Sequence, residues 1–126
     1  MKLVITTSIS EDEFEPLRKT FSLEVIKIAA RKCLEGLGEN IKSSTKISGT
    51  ILRKIPLTSA GGAGRAVFLL QISAQKSILI MIRLKNDKQI GENMTVKNPK
   101  FRKALDRNLA LAIRDIENGN FEEYEL

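Results

Sequence analysis

The sequence contains no histidine and a single cysteine, and these shortages exclude several kinds of site. Without histidine, neither a serine–histidine triad nor a cysteine–histidine pair can form. Zinc sites need clustered histidine and cysteine, so we expect no metal site and no cofactor. Cys33 has no partner for an internal disulfide, and it lies on the apolar stripe of a predicted helix, which is typical of a core cysteine in a reducing compartment.

The chain also lacks a long apolar run. No segment approaches the roughly 20 apolar residues that span a bilayer. The first residues move directly into threonine, serine and acids, without the apolar core of a signal peptide. We therefore expect a cytoplasmic protein with no membrane partner. The 126 residues fit one domain, residues 1–126, with its own hydrophobic core.

The net charge of +6 is unevenly distributed. Residues 1–40 contain six cations and seven acids, and residues 116–126 contain four acids and no cation. Residues 41–115 contain fifteen cations and four acids, a net charge of +11. Such a basic surface on a small domain favours a polyanionic partner, usually nucleic acid. The alternative is an ordinary lysine-rich surface.

Two apolar runs of strand length, residues 66–72 and 78–84, form the centre of the predicted fold. Both contain β-branched residues, and the five residues between them suit a hairpin loop. If the runs pair as a hairpin, the start of one lies beside the end of the other. We therefore expect Arg65, Arg83 and Lys85 to gather at one end of the sheet.

The flanking segments predict an α+β domain. The first part contains a strand over residues 2–7, a short helix within 11–20 with a Ser10–Glu13 capping box, and a helix over 22–37. A loop over 40–48 and a strand over 49–55, ended by Pro56, follow. The last element is a helix that starts at Asn98 and Pro99 and runs to about residue 117. We predict a small, largely antiparallel four-stranded sheet with an N-terminal helical hairpin and a C-terminal helix. The acidic tail either frays or folds back on the basic surface.

A glycine-rich stretch, residues 58–64, precedes Arg65. It suits a mobile loop or a close approach of the backbone to phosphate. Because the sequence reveals no packing role for these glycines, Arg65 is the leading candidate phosphate contact. Arg53 and Lys54 are neighbours, so on a strand their side chains point to opposite faces.

A site made of cations alone can stabilise the charge that develops when an RNA 2′-hydroxyl attacks its own 3′-phosphate. Arg65 and Arg83 suit fixed clamps, because guanidinium binds phosphate in bidentate fashion. Neighbouring cations favour the neutral form of a lysine, so Lys54 and Lys85 are candidates for proton transfer. Composition alone does not separate this chemistry from simple RNA binding.

Residues 49–87 resemble the sheet region of the RelE/ParE toxin superfamily, in particular its HigB-like branch. The matching segments are residues 52–55 (LRKI), 61–68 (GGAGRAVF) and 79–87 (LIMIRLKND). The order of a strand, a helical hairpin, three strands and a closing helix is similar as well. The resemblance implies a RelE-like fold and the toxin of a type II toxin–antitoxin system.

HigB-like toxins are metal-independent endonucleases that cut mRNA on the ribosome, so the resemblance implies an enzyme that inhibits translation. Its partners would be the ribosome, mRNA and a cognate antitoxin. The cations that match the site positions are Lys54, Arg65, Arg83 and Lys85. Further RNA contacts are predicted at Arg53, Lys88, Lys97, Lys100 and Lys103. The alternatives are a non-catalytic, gyrase-directed ParE-like toxin and a non-toxic RNA- or ribosome-binding domain.

Overall fold

The computed structural model describes residues 1–43 and 46–126, in which six strands form one mixed sheet. The strands are β1 (Lys2–Thr6), β2 (Glu39–Ile41), β3 (Thr50–Ser59), β4 (Gly62–Gln71), β5 (Lys76–Leu84) and β6 (Phe121–Glu125), in the order β2-β3-β4-β5-β1-β6. β1 runs parallel to β5, and the other neighbouring strands are antiparallel. The fold is α+β, but the predicted four-stranded, largely antiparallel sheet was wrong.

Two strands that the sequence did not reveal extend the sheet at its edges. β2 overlaps the start of the segment predicted as a loop, in which Ser44 and Thr45 fall outside the described residues. β6 is the acidic tail, which neither frays nor covers the basic surface but pairs with β1. Lys2 lies 3.6 Å from Glu123 and 3.7 Å from Glu125, so the tail finds cations on its neighbouring strand.

Pro56 does not end β3, contrary to prediction. β3 continues to Ser59, and β2 reaches only as far as Lys54 along it. Beyond that point no strand among the described residues pairs with β3 on that side, so the missing N–H of proline is tolerated as it is on an edge strand.

The helical segments lie between the strands. α1 (Thr7–Ile9) continues into a π-helical turn (Ser10–Phe14) and a 3-10 turn (Glu15–Leu17), and α2 (Leu23–Leu34) follows. A 3-10 turn (Gly91–Asn93) precedes α3 (Pro99–Glu117). The Asn98 side chain accepts from the N–H of Lys100, which confirms the predicted start of α3. In the part of the chain that the structure describes, no helix is long and apolar enough to cross a membrane.

α2 and α3 pack on opposite faces of the sheet. Arg53 Nη1 donates to the carbonyl oxygen of Cys33 in α2, at 2.7 Å. Leu109 of α3 instead lines a cavity with Leu52, the neighbour of Arg53 in β3. The prediction that Arg53 and Lys54 point to opposite faces is therefore confirmed. Lys54 lies on the face of α3.

Glu13 does not form the predicted capping box. The helical segment already begins at Thr7, and the Glu13 side chain is 3% exposed. Its Oε1 accepts from the backbone N–H of Ile82 at 2.9 Å and from the guanidinium of Arg83. β1 pairs with β5 only over Lys2, Leu3 and Val4. The carboxylate therefore supplies a hydrogen-bond acceptor to β5 where β1 no longer does.

A β-bulge in β5 sets the face on which its last residues lie. Val67 pairs with Met81 and Phe68 pairs with Leu79, which leaves Ile80 as the extra residue. The Ile80 carbonyl accepts from the buried side chain of Asn108 in α3, at 2.9 Å. A shift of one residue exchanges the faces of all the following side chains. The bulge thus places Arg83 opposite Arg65, on the face of α3, where an unbulged strand would turn it toward α2.

We expect Glu13→Ala to lower the free energy of unfolding by about 2–4 kcal/mol, because it leaves the Ile82 N–H without its acceptor and the partly buried Arg83 without its anion. Chemical denaturation measures this loss. Glu11→Ala is the matched control, since Glu11 is exposed, and we expect a change within about 0.5 kcal/mol there. A loss below about 1 kcal/mol in Glu13→Ala would contradict the structural role.

Candidate anion-binding site

Four predicted site residues meet at one end of the sheet, named here the cationic end: Lys54, Arg65, Arg83 and Lys85. Arg65 and Arg83 are direct partners in the β4–β5 register. The residue after β5, Lys85, donates its backbone N–H to the carbonyl of Ala63 at 3.0 Å. The predicted gathering of Arg65, Arg83 and Lys85 is therefore confirmed, and β3 adds Lys54 on the same face.

The glycine-rich stretch is a tight hairpin tip and not a loose loop. Ser59 Oγ accepts from the N–H of Gly61 at 3.2 Å, and β4 already begins at Gly62. A Cβ on Gly64 would lie 2.7 Å from the Phe21 ring and 2.6 Å from the Arg83 carbonyl oxygen. Gly64 therefore has a packing role that sequence reasoning missed, and close approach to phosphate is not needed to explain it.

Two cavities adjoin Arg65. The larger, of about 620 Å³, is lined by the hairpin tip together with Thr20, Leu84, Lys85, Asn86 and Glu92. The smaller, of about 250 Å³, is lined by Gly38, Glu39, Lys54 and Pro56. Because Arg65 lines both, its guanidinium is the group that a ligand in either cavity would meet.

The loop of residues 86–98 holds two of the cations. Lys54 Nζ donates to the carbonyl of Met94 at 2.8 Å and lies 3.6 Å from the Glu39 carboxylate, with the Lys54 side chain 11% exposed. Arg65 Nη1 makes a longer, weaker contact of 3.5 Å with the carbonyl of Gly91. The carbonyl oxygens orient both cations, and Lys54 has a carboxylate beside it as well.

Asp87 shapes that loop. Its Oδ2 accepts from the backbone N–H groups of Gly91 at 3.0 Å and of Ile90 at 3.1 Å. These hydrogen bonds, with that of Gly91 the largest cause, hold the pKa of the Asp87 carboxyl below its usual value, and the charge of Arg83 acts in the same direction. The turn also brings Gly91 so close to β5 that a Cβ there would lie 1.8 Å from the Leu84 carbonyl oxygen.

Arg83 is occupied by a contact within the protein. It is 24% exposed and forms an ion pair with Glu13. Like charges that face each other across a strand pair repel. By neutralising Arg83, the Glu13 carboxylate relieves this repulsion on Arg65. Within residues 1–43 and 46–126, no ion pair involves Arg65 or Lys85.

The predicted RNA contacts divide into two groups. Arg53 lies on the opposite face, where its Nε donates to Asn40 Oδ1 at 2.8 Å and its Nη1 to α2, so it is a structural residue away from the site. The other four are exposed on the loop or at the start of α3: Lys88, Lys97, Lys100 and Lys103.

Cys33 is buried in α2, and burial raises the pKa of its thiol to about 11, against the opposing effect of the Arg53 charge. A thiol in that state is a poor nucleophile. Among the described residues, no group of three or more histidine, cysteine, aspartate or glutamate side chains could hold a metal ion.

No known protein-family model matches the chain, and no curated protein is significantly similar to it in sequence. Function is therefore inferred from the site itself. Arg65 and Lys85 offer a planar guanidinium and an ammonium at the wall of an open cavity, and neither forms an ion pair with any carboxylate among the described residues. That combination suits phosphate, which guanidinium binds in bidentate fashion and which an ammonium attracts as a point charge.

Sequence reasoning missed three residues that shape the site. Glu39 falls between the predicted helix and the predicted loop. No local pattern in the sequence signals that it pairs with Lys54 of the neighbouring strand. The sequence predicts no role in the site for Asp87 or Gly91. Aspartate and glycine are both common in turns, aspartate because its side chain accepts from nearby backbone N–H groups, so the sequence signalled a turn here but not its contacts.

We expect Gly91→Ala to lower the free energy of unfolding by about 1–3 kcal/mol, because the added methyl group overlaps the Leu84 carbonyl and must displace the turn. Chemical denaturation measures the loss, and hydrogen exchange of the loop amides shows whether it is local. Gly61→Ala is the matched control, since its Cβ would meet Thr20 only at an ordinary 3.6 Å. Equal stability of the two variants would contradict the packing of the loop.

Proposed function

We propose that this protein is the toxin of a type II toxin–antitoxin system, a metal-independent endonuclease that cuts mRNA on the ribosome. The observation that carries the proposal is the cationic end of the sheet, where Arg65 stands between two cavities with Lys54 in one and Lys85 in the other. The resemblance of residues 49–87 to HigB-like toxins marked these same cations. The corrected strand count leaves the proposal standing, since one type of site occurs on many folds.

Arg65 is the residue that binds the scissile phosphate. Its guanidinium matches two phosphate oxygens, stays charged at every physiological pH, and stabilises the extra charge of the transition state. Lys85 adds a second positive charge from the neighbouring strand end. Arg83 does not bind the phosphate in this proposal, because it already forms an ion pair with Glu13.

The exposed lysines extend the contact beyond the reacting phosphate. Lys88, Lys97, Lys100 and Lys103 are exposed on the loop beside the site and on the first turns of α3. Phosphate contacts of this kind are independent of sequence and are weakened by salt. The cognate antitoxin would neutralise the toxin by covering this basic surface.

A second candidate is a non-catalytic RNA- or ribosome-binding domain. One observation favours it: Lys54, a predicted proton-transfer residue, is largely buried and already donates to the Met94 carbonyl. A binder needs only the positive charge of such a residue, whereas a nuclease needs a group that exchanges protons with the substrate.

The proposal is tested by brief induction of three proteins: the wild type, Arg65→Ala and Arg31→Ala. Primer extension on abundant mRNAs then shows where each protein cuts. We expect the wild type to cut within translated regions. Arg65→Ala should cut at least about 100-fold less, because it loses a donor that stabilises the transition state. Arg31→Ala is the matched control, because Arg31 is exposed on α2, on the other face of the sheet.

Three outcomes contradict the proposal. Undiminished cutting by Arg65→Ala would remove Arg65 from the site. Growth arrest with intact mRNA would favour a gyrase-directed toxin. Salt-sensitive RNA binding with neither arrest nor cutting would favour the non-catalytic candidate.

A further inference from the structure

The smaller cavity beside Arg65 contains a carboxylate, that of Glu39. A site made only of cations can bind a phosphate, but it offers no ordinary acceptor for the proton of an attacking 2′-hydroxyl. We infer that Glu39 is the general base of the proposed endonuclease. This inference rests on the proposed function and adds the residue that begins the reaction.

The fold holds Glu39 at a defined position. Glu39 is the first residue of β2 and the register partner of Lys54. Its Oε2 lies 3.6 Å from Lys54 Nζ, while the Glu39 side chain remains 76% exposed. The preceding residue, Gly38, has φ of +101°, and a Cβ there would lie 2.8 Å from the Lys54 carbonyl oxygen. Only glycine allows the chain to enter β2 this close to β3.

Lys54 thus has a role that fits its burial. With one donor directed to the Met94 carbonyl, its ammonium is fixed beside Glu39. The contact orients the carboxylate from a strand, which holds it in place for substrate. Glu39 remains accessible to substrate because most of its side chain faces solvent.

The strand order places the base and the acid on opposite sides of the phosphate. In the sequence β2-β3-β4-β5, Glu39 lies two strands to one side of Arg65, and Lys85 follows the strand on the other side. Neighbouring strands are about 4.8 Å apart, which leaves about 10 Å between β2 and β4. In phosphoryl transfer the attacking and leaving oxygens are in line across the phosphorus. A phosphate on Arg65 therefore directs one of these oxygens toward Glu39 and the other toward Lys85.

The reaction balances with these groups alone. Glu39 takes the proton of the 2′-hydroxyl as the 2′-oxygen forms its bond to phosphorus. The bond from phosphorus to the 5′-oxygen breaks, and that oxygen takes a proton from the Lys85 ammonium. The products are a 2′,3′-cyclic phosphate and a 5′-hydroxyl. Water then removes the proton from Glu39 and returns one to Lys85.

Glu92 is the rival carboxylate, since it lines the larger cavity with Arg65 and Lys85. It lies on the same side of Arg65 as Lys85, so it faces the leaving oxygen in this arrangement. A base at that position would require the RNA to bind in the reverse direction. Comparison of Glu39 with Glu92 therefore distinguishes the two orientations.

The test measures single-turnover cleavage of a defined mRNA on translating ribosomes at neutral pH. The proteins are the wild type, Glu39→Gln, Glu39→Asp and Glu92→Gln, with Glu35→Gln at the exposed end of α2 as the matched control. We expect Glu39→Gln to cut at least about 100-fold more slowly, as on loss of a general base.

Further readouts separate catalysis from structure. Glu39→Asp should retain part of the activity, and Glu39→Gln should bind the same mRNA at least as tightly as the wild type, because it removes a negative charge from the site. Both variants should unfold at the wild-type denaturant midpoint. A 2′-deoxy nucleotide at the cleavage position should abolish cutting by the wild type.

The outcomes separate the two proposals. A wild type that cuts no mRNA overturns the endonuclease and the base together. If the wild type and Glu39→Gln cut equally well, Glu39 is not the general base, and the proposed endonuclease activity is unaffected. If Glu92→Gln no longer cuts while Glu39→Gln keeps full activity, Glu39 is again not the general base. The base then lies on the other side of Arg65.

Discussion

The charge arrangement at the cationic end depends on the contacts of one buried carboxylate, that of Glu13. β1 leaves β5 after three paired residues, and the exposed strand edge would lack acceptors there. Glu13 accepts from the Ile82 N–H and neutralises Arg83 at the same time. Without an anion beside it, Arg83 would face Arg65 across the β4–β5 pair with two like charges in register. One carboxylate therefore completes the sheet edge and leaves Arg65 as the available guanidinium.

A second buried polar contact decides the direction in which the last residues of β5 point. Asn108 of α3 satisfies the carbonyl of the bulged Ile80, so the helix and the bulge stabilise each other. Because side chains alternate along a strand, this one extra residue turns Arg83 and the residues after it to the face of α3. The distribution of charge at the site thus depends on a hydrogen bond inside the core.

The loop of residues 86–98 prepares the site before any ligand binds. Asp87 ties the turn together, and the carbonyls of Gly91 and Met94 receive Arg65 and Lys54. The neutral carbonyl of Gly91 holds Arg65 in place but leaves its charge available to an anion, whereas Lys54 also lies beside the Glu39 carboxylate. Groups fixed in advance need little rearrangement when charge develops on a phosphate, which is the condition for transition-state stabilisation. The same loop also limits which cations a ligand can reach.

Local signals in the sequence were sufficient for the central hairpin, the cap of α3 and the end of the sheet at which Arg65, Arg83 and Lys85 gather. Each depends on residues close together in the chain: apolar runs, an Asn-Pro helix start, a hairpin-length loop. The sheet edges were not predictable in this way. β2 and β6 are short and polar, and they exist because distant strands offer them backbone partners. The hydrogen bond of Asn108 to the bulged Ile80, the burial of Glu13 and the contact of Glu39 with Lys54 likewise join residues 15 to 69 positions apart. The sequence by itself thus determined which cations lie near one another, and the tertiary structure decided which of them remain available, because charge is cancelled or exposed by neighbours that the chain brings back from far away.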